Sequence, residues 1–225
     1  MKFRHEYKHI ITPSDLVTLR MRLQAVAAPD KNGLNGTPEY SIRSLYFDSP
    51  GDKALREKIT GVQKREKFRI RYYNNDTSFI RLEKKSKINS LCNKVSARIS
   101  RDEVSAILEG RTEWMINDSR ELIRELYRKM QTQGLRPKTV VDYTREAYTY
   151  IPGNCRLTLD YSIRTGLAGT DMFSPDFVTV PAGDSTIILE VKWDEFLPQI
   201  IRDTVTVRGV RPTAFSKYAA CRIYG

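Results

Sequence analysis

The chain has 225 residues, and its 38 Lys and Arg against 27 Asp and Glu give a formal net charge of +11. Because 40% of the residues are hydrophobic and 10% are aromatic, the chain can bury a core, which excludes an intrinsically disordered protein. The charge favours a polyanionic partner, and no apolar run approaches the roughly 18 residues that cross a bilayer as a helix.

Capping signals predict where the helices begin and end. Thr12 followed by Pro13 is typical of a helix start, and this helix is predicted to run to about Ala27. Ser100 and Glu103 have the spacing of a capping box, which predicts a second, short helix. Further helices are predicted from about Ser119 to Gly134, from Asp194 to about Arg202, and after Pro212.

Eight segments alternate between apolar and polar residues with a period of two, as β-strands do. Eight strands are enough to close a small barrel, and the tight turn at 74–76 and the loop at 86–91 make the strands beside them antiparallel neighbours. We therefore predict an α+β fold, an eight-stranded antiparallel β-barrel with helices packed on the outside, as one domain over residues 1–225. The predicted strands are 2–11, 40–48, 65–74, 78–86, 91–99, 138–150, 155–164 and 186–193.

One face of these strands is almost entirely charged. On any single strand this pattern also fits the solvated face of an open sheet. Like charges on neighbouring strands repel each other, so their repetition indicates a bound anion, and a barrel closed with its apolar face outward would turn this face into a lumen. The charged sides carry, in chain order, Arg4, Glu6 and Lys8; Lys67, Arg69 and Arg71; Arg81, Glu83 and Lys85; Lys94 and Arg98; Arg145; Arg156 and Asp160; Glu190 and Lys192.

The mixture of cations and a few carboxylates favours a phosphate chain with a metal ion. Arg offers paired donors to phosphate oxygens and Lys offers a point charge. Carboxylates repel phosphate unless a divalent cation joins them, and Mg²⁺ or Mn²⁺ takes one or two carboxylates together with phosphate oxygens. Glu6, Glu83 and Glu190 are the candidate metal ligands, although ion pairing with the Lys two residues later explains Glu6 and Glu83 equally well.

Seven blocks of the sequence, in order and over nearly the whole chain, resemble the VTC (vacuolar transporter chaperone) polyphosphate polymerase domain of the triphosphate tunnel metalloenzymes. The blocks are Tyr40-x-Ile42-Arg43-Ser44-Leu45-Tyr46-Phe47-Asp48, Lys67-x-Arg69-x-Arg71-Tyr72-Tyr73, Leu82-Glu83-Lys84-Lys85, Tyr143-x-Arg145, Arg156-Leu157-Thr158-Leu159-Asp160, Leu189-Glu190-Val191-Lys192 and Phe215-Ser216-Lys217-Tyr218. The resemblance implies an eight-stranded tunnel that grips a nucleoside triphosphate and transfers its γ-phosphate to a polyphosphate chain.

The resemblance and the charged face together give a set of site residues. The expected catalytic residues are Arg69, Arg71, Lys85, Lys94, Arg145 and Arg156. Those expected to bind substrate phosphates are Lys8, Arg43, Lys67, Arg81, Arg98, Lys192 and Lys217. The metal, Mn²⁺ or Mg²⁺, is assigned to Glu190, Glu6 and Glu83.

The function expected from these residues is a metal-dependent polyphosphate polymerase that uses ATP. A triphosphatase using the same tunnel and a non-catalytic polyanion-binding module are the alternatives. The expected partners are ATP and polyphosphate or triphosphate, with no nucleic acid, and a membrane-protein partner is also possible.

Three widely spaced cysteines favour a reducing compartment, so we expect a cytoplasmic protein without a membrane segment of its own. No residue stands out in the sequence as a base-stacking site, which leaves the nucleotide preference open.

Overall fold

The computed structural model describes residues 4–33, 36–88, 91–183, 185–207, 209 and 212–223. In these residues the chain forms ten strands, six α-helices and two short 3₁₀-helices. Their order is β1 (His5–Ile11), α1 (Pro13–Val26), β2 (Ala28–Pro29), β3 (Glu39–Asp48), α2 (Lys53–Ile59), β4 (Arg65–Tyr73), β5 (Asp76–Ile88), β6 (Leu91–Ile99), α3 (Arg101–Leu108), a 3₁₀-helix (Glu113–Met115), α4 (Glu121–Gln133), β7 (Arg136–Tyr150), a 3₁₀-helix (Pro152–Asn154), β8 (Cys155–Thr165), β9 (Val180–Pro181), β10 (Ile187–Trp193), α5 (Gln199–Val205) and α6 (Lys217–Arg222).

The longer strands form one curled antiparallel sheet in the order β1-β10-β8-β7-β3-β4-β5-β6. The two-residue strands β2 and β9 add short pairs to β7 and β8. The curl brings the two edges of the sheet together, and an isolated bridge joins Arg4, just before β1, to Cys92 in β6. The α+β class and the antiparallel eight-stranded sheet are confirmed, and the sheet has the shape of a half-barrel.

The outer face of the sheet is apolar and is covered by helices, as expected. The stripe of α4 that holds Leu122, Leu126 and Met130 packs against the outer side of the β3–β6 half of the sheet. On the other half, Leu19 of α1 and Ile201 of α5 belong to a second core with the outward side chains of β8 and β10. With its apolar face turned to these helices, the sheet directs its charged face inward. No helix in the described ranges has both the length and the apolar character needed to cross a bilayer.

The inner face is partly filled by α6. Tyr218 and Cys221 of this helix are buried in a third core with lumen-facing side chains of the sheet. The Tyr218 hydroxyl donates a hydrogen bond of 2.6 Å to Asp48 at the end of β3, which fixes the helix in place. Ala54 and Leu55 of the neighbouring helix α2 pack against the same third core, so α2 and α6 both lie on the lumen side of the sheet.

The predicted helix from Asp194 is wrong at its start, because α5 begins at Gln199. The backbone N–H of Asp194 donates to the Gly153 carbonyl at 3.0 Å, which ties this residue to the turn before β8. The first turn of the helix instead closes on the Pro198 carbonyl, which accepts from Ile201 at 3.1 Å. The remaining helix and strand predictions are confirmed to within a few residues, while residues 2, 3, 89 and 90, which belong to predicted elements, lie outside the described ranges.

The helix α2 is an element that sequence analysis misses. The residue before it, Asp52, has a left-handed backbone with φ of 52° and makes no side-chain capping bond. The cap comes instead from Asp48, whose carboxylate accepts the backbone N–H groups of Ala54 at 2.8 Å and Leu55 at 3.1 Å. A cap supplied from the preceding strand leaves no local signal in the sequence.

Candidate functional site

The half-barrel encloses a cavity of about 370 Å³ whose walls are mostly charged. Because side chains alternate along each strand, the charged residues of the predicted face converge here, and α6 adds one more cation. The predicted site residues that line the cavity are Glu6, Lys8, Lys67, Arg69, Arg71, Lys85, Lys94, Arg145, Arg156, Glu190, Lys192 and Lys217.

Strands β4, β5 and β6 place their lumen side chains in three parallel rows. The register aligns Arg71, Arg81 and Arg98 in the first row, Arg69, Glu83 and Ser96 in the second, and Lys67, Lys85 and Lys94 in the third. Two rows therefore consist entirely of cations placed directly opposite one another, an arrangement that destabilises a sheet unless an anion offsets the repulsion.

Glu83 is the one anion of these rows, and its side chain is 1% exposed. One carboxylate oxygen lies 3.1 Å from the ammonium of Lys94, and the other lies 2.7 Å from Arg69 and 3.9 Å from Arg71. Although burial opposes ionisation, these cations hold the pKa of Glu83 far below its ordinary value. In the strand register Glu83 lies between Arg69 and Ser96, with no second carboxylate beside it in the described strands, so a metal ion here would have a single carboxylate, and the metal-ligand role expected of Glu83 stays a prediction.

Glu6 and Glu190 face the rows from β1 and β10, as diagonal neighbours across the strand pair. Lys192 joins them, at 2.5 Å from Glu190 and 3.8 Å from Glu6. Burial and the Glu190 charge oppose the ionisation of Glu6, yet Lys8 and Lys85, each 3.0 Å away, help to hold the pKa of Glu6 below its ordinary value. No group of three or more potential metal ligands occurs among the described residues, so a divalent cation here would have these two carboxylates and would take its other ligands from bound phosphate or water.

Asp160 belongs to the site but was not predicted as a site residue. It is fully buried and accepts two hydrogen bonds from Arg145, at 2.6 and 2.7 Å, and a third from Lys217 of α6. Burial opposes its ionisation, but Arg145 and Lys217 lower the pKa of Asp160 to about 2. Asp160 therefore joins β7, β8 and α6, and it directs Arg145 to within 3.7 Å of Glu190. Its position on the charged side of β8 was the signal that could have identified it.

Tyrosine hydroxyls orient three of the arginines, a feature that sequence analysis also missed. The pairs are Arg69 with Tyr46 at 2.9 Å, Arg71 with Tyr143 at 2.9 Å and Arg156 with Tyr40 at 3.0 Å. These hydroxyls fix the direction of the guanidiniums in the lumen, while Glu83 also pairs with Arg69 at 2.7 Å and Asp30 with Arg156 at 3.1 Å. The period of two along β3 puts Tyr40 and Tyr46 on the same side as Ser44, and this pattern could have predicted that both hydroxyls face the lumen.

Arg43 does not reach the lumen, so its expected phosphate-binding role is not supported. It occupies the other side of β3, where its guanidinium bonds the Asp142 carboxylate at 2.8 Å and lies 5.5 Å from the ring of Phe177. Arg43 lies in a sequence block that resembles the family, but the side chains of β3 that face the lumen are those of its neighbours Ile42 and Ser44. Arg81 and Arg98 face the lumen side at the end of the first row, beyond the residues that line the cavity.

Lys67 is a lysine of the lumen whose protonation state would change when an anion binds. Its ammonium lies 5.5 Å from the ring centroid of Tyr46 and makes no ion pair with a carboxylate of the described residues. Burial, helped by the charges of Lys85 and Arg69, lowers the pKa of Lys67 to about 7. Since this pKa lies below the ordinary value of 10.5, unfolding takes up a proton between these values, and the free protein gains stability as the pH rises from about 7 to 10.

The same shift predicts that triphosphate binding takes up a proton at Lys67 above pH 7. We expect the affinity for inorganic triphosphate to fall about tenfold between pH 7 and 9, since the bound anion favours the charged lysine. Calorimetry in buffers of different ionisation enthalpy measures the proton uptake. Lys67→Arg should remove the share of Lys67 and leave that of Lys192, whose pKa burial lowers to about 8, while Lys84→Arg, on the outer face beside Glu125, should leave the uptake unchanged. Full proton uptake in the Lys67→Arg variant would contradict the assignment.

The fold and the site define an α+β tunnel domain with a strongly basic lumen. The VTC domain model matches residues 3–223, and the chain therefore belongs to the VTC domain family.

One solved structure of similar fold supports this architecture, and two others show a weaker likeness. The crystal structure of a "putative adenylate cyclase" from Bacillus halodurans is 14% identical over 90% of this chain and 86% of its own, with a TM-score of 0.53. The PH1819 and PH1012 proteins of Pyrococcus horikoshii are each 13% identical over 90% of this chain, covering 84% and 85% of their own chains, with TM-scores of 0.44 and 0.45. No curated protein sequence matches the chain significantly.

Proposed function

We propose that this protein is a metal-dependent polyphosphate polymerase that transfers the γ-phosphoryl group of ATP to a polyphosphate chain in the lumen. The observation that carries the proposal is the pair of all-cation rows on β4–β6 facing the carboxylates Glu6 and Glu190. A row of cations suits a chain of phosphates, and membership in the VTC domain family supports the same substrate class.

In the proposed step, a terminal oxygen of the polyphosphate chain forms a bond to the γ-phosphorus of ATP. The bond from that phosphorus to the oxygen bridging the β- and γ-phosphates breaks, and ADP leaves with the bonding electrons. Because the attacking oxygen is already ionised, no general base is needed, and catalysis consists of positioning and charge stabilisation. We assign the positioning of the phosphates to Arg69, Arg71 and Arg145, whose guanidiniums are held by tyrosine or carboxylate partners.

Glu190 and Glu6 would hold the metal ion. Mg²⁺ or Mn²⁺ bound there would offset the negative charge that develops on the phosphate oxygens. Lys192, which pairs with both carboxylates, would then be free to contact phosphate. Burial lowers the pKa of Lys192 to about 8 despite the opposing charge of Glu190, so Lys192 is mostly protonated at pH 7 and a bound phosphate would raise its pKa again.

The test is to incubate purified protein with ATP and Mn²⁺ or Mg²⁺, with and without a short polyphosphate primer. Polyphosphate ladders on a gel and released orthophosphate are followed together. Ladders that need both ATP and the metal support the proposal. Orthophosphate without ladders would overturn it in favour of a triphosphatase, and triphosphate binding without either product would overturn it in favour of a binding module.

Arg69 and Arg43 give a matched pair of variants, because both are ion-paired arginines but only Arg69 faces the lumen. Arg69→Gln should lower chain synthesis about 100-fold through the loss of one charged donor to the phosphates. Arg43→Gln should retain activity within about threefold once the amount of folded protein is equalised by circular dichroism. Equal losses in both variants would contradict the placement of the site in the lumen.

A further inference from the structure

Phe79 is an aromatic residue on the charged face of the sheet. It lies on β5 two residues before Arg81 and four before Glu83, so the period of the strand places it on the lumen side. Its side chain is 40% exposed, whereas the neighbouring apolar residues Ile80 and Leu82 are fully buried on the outer side. The core leaves this large ring exposed beside charged neighbours on β5, and a ligand with a π surface would cover it.

Two arginines flank this ring. The guanidinium carbon of Arg81 lies 4.6 Å from the ring centroid of Phe79, and that of Arg98 lies 5.5 Å away. Arg98 donates a hydrogen bond of 3.2 Å to the Ser78 carbonyl, which holds it beside the strand. Arg81 makes no ion pair with any carboxylate in the described part of the chain, so its charge is available to an anion. The group thus combines a π surface with uncompensated positive charge.

The strand register connects this group to the cavity. Arg81 is paired directly with Arg71, which is 4% exposed and lines the cavity, and Arg98 is the next residue along the same row. Residues two apart on a strand are about 7 Å apart, so β5 leads from Lys85, which lines the cavity, past Arg81 to Phe79 in steps similar to the size of a phosphate or a sugar. The ring of Phe79 therefore lies beyond the first row, on the side of Arg81 away from Lys85.

We infer that Phe79, Arg81 and Arg98 form the nucleoside subsite, in which the base of a nucleoside triphosphate stacks on Phe79 and the two guanidiniums contact the base and the α-phosphate. The inference extends the proposed function by naming where the nucleoside of the phosphate donor binds. Stacking on an aromatic ring and on guanidinium planes tolerates any base, because every base has a π face. The subsite therefore favours nucleoside triphosphates over inorganic triphosphate and discriminates little between ATP and GTP.

The alternative is that Phe79 only separates two like-charged arginines. In that case its loss would disturb the arginines and weaken every polyanion to the same degree. The two hypotheses predict different effects of losing Phe79 on the ratio of ATP affinity to inorganic triphosphate affinity. Only a stacking subsite changes the ratio, because only the nucleoside can stack.

The experiment measures metal-free binding of ATP, GTP and inorganic triphosphate by calorimetry at pH 7. Phe79→Ala should weaken ATP and GTP at least about fivefold while inorganic triphosphate changes less than about twofold. Phe79→Trp should restore the nucleotide affinity. Phe196→Ala, which removes an exposed ring outside the lumen, serves as the control and should change none of the three.

An equal loss for all three ligands, or no loss for any of them, would overturn the inference. Since the assay needs no turnover, it is independent of the polymerase assay. If the protein synthesises chains but Phe79→Ala keeps the ratio of ATP affinity to triphosphate affinity, the subsite is absent. If Phe79→Ala changes the ratio as predicted but the protein makes no chains, only the proposed reaction is refuted.

Discussion

Glu190→Gln is expected to lower metal-dependent turnover by about three orders of magnitude. The carboxylate is 5% exposed and, with Glu6, is one of the two anions that could hold a divalent cation beside the substrate phosphates. Neutralising it would remove one of the two proposed metal ligands, and losing several kcal/mol of charge stabilisation corresponds to this factor in rate. The binding of inorganic triphosphate without metal should stay the same or strengthen, because one repelling charge has been removed. Steady-state kinetics with Mn²⁺ and metal-free calorimetry measure the two quantities.

Glu146→Gln is the control for this variant. Glu146 is also buried, at 2% exposure, but it lies outside the lumen, where it accepts hydrogen bonds from Arg20 at 3.0 Å and Tyr161 at 2.9 Å. Its neutralisation should lower the melting temperature and leave turnover per folded molecule unchanged. If Glu190→Gln lowered turnover and metal-free binding in parallel, Glu190 would be a structural residue and not a metal ligand.

Glu83→Gln is expected to lower the free energy of unfolding at pH 7 by about 3–5 kcal/mol. The side chain keeps its shape but no longer offsets the charges of Arg69, Arg71 and Lys94, and breaking a buried ion pair from one side leaves such charges uncompensated. The folded pKa of Glu83 lies below the ordinary 4.5, so its contribution is present above pH 4.5 and is lost as the pH falls through the folded value. Urea denaturation of both proteins at pH 7 measures the difference.

Glu66→Gln on the neighbouring strand supplies the comparison. Glu66 pairs with Lys129 on the outer surface, where the pair is partly solvated. A partly exposed pair contributes little, so the loss should stay below about 1 kcal/mol. Similar losses in the two variants would mean that Glu83 contributes no more to the free energy of unfolding than a surface ion pair does.

Strand alternation carried most of what the sequence could predict. Arg69 and Arg71 fall on one side of β4 and Phe68 and Ile70 on the other, and this assignment needs nothing beyond the period of a strand. The same reasoning brought Glu190 and Lys8 to one lumen before any pairing was known. Strand neighbours separated by short turns, such as β4 and β5, also followed from the sequence because a turn near 74–76 forces the chain to reverse.

Contacts between distant segments could not be predicted in this way. The bond from Lys217 to Asp160 depends on where α6 packs, and the cap of α2 by Asp48 depends on how β3 ends. Arg43 was misplaced because β3 is buried on both faces, so its hydrophobicity does not reveal which side is the lumen. Phe79 was overlooked because an aromatic residue in a strand ordinarily indicates a core position.

The strand order has a consequence for folding. Strand β1 pairs with β10, so Lys8 and its partner Glu190 are about 180 residues apart along the chain. Hairpins such as β4–β5 can form early from local contacts, whereas the β1–β10 pair must wait for the largest loop closure in the sheet. The carboxylates Glu6 and Glu190 stand on these two strands, and a ribosome adding about 5–20 residues per second delivers the second of them many seconds after the first. The proposed metal-binding pair is therefore among the last features to assemble, because it forms only when β1 and β10 have paired.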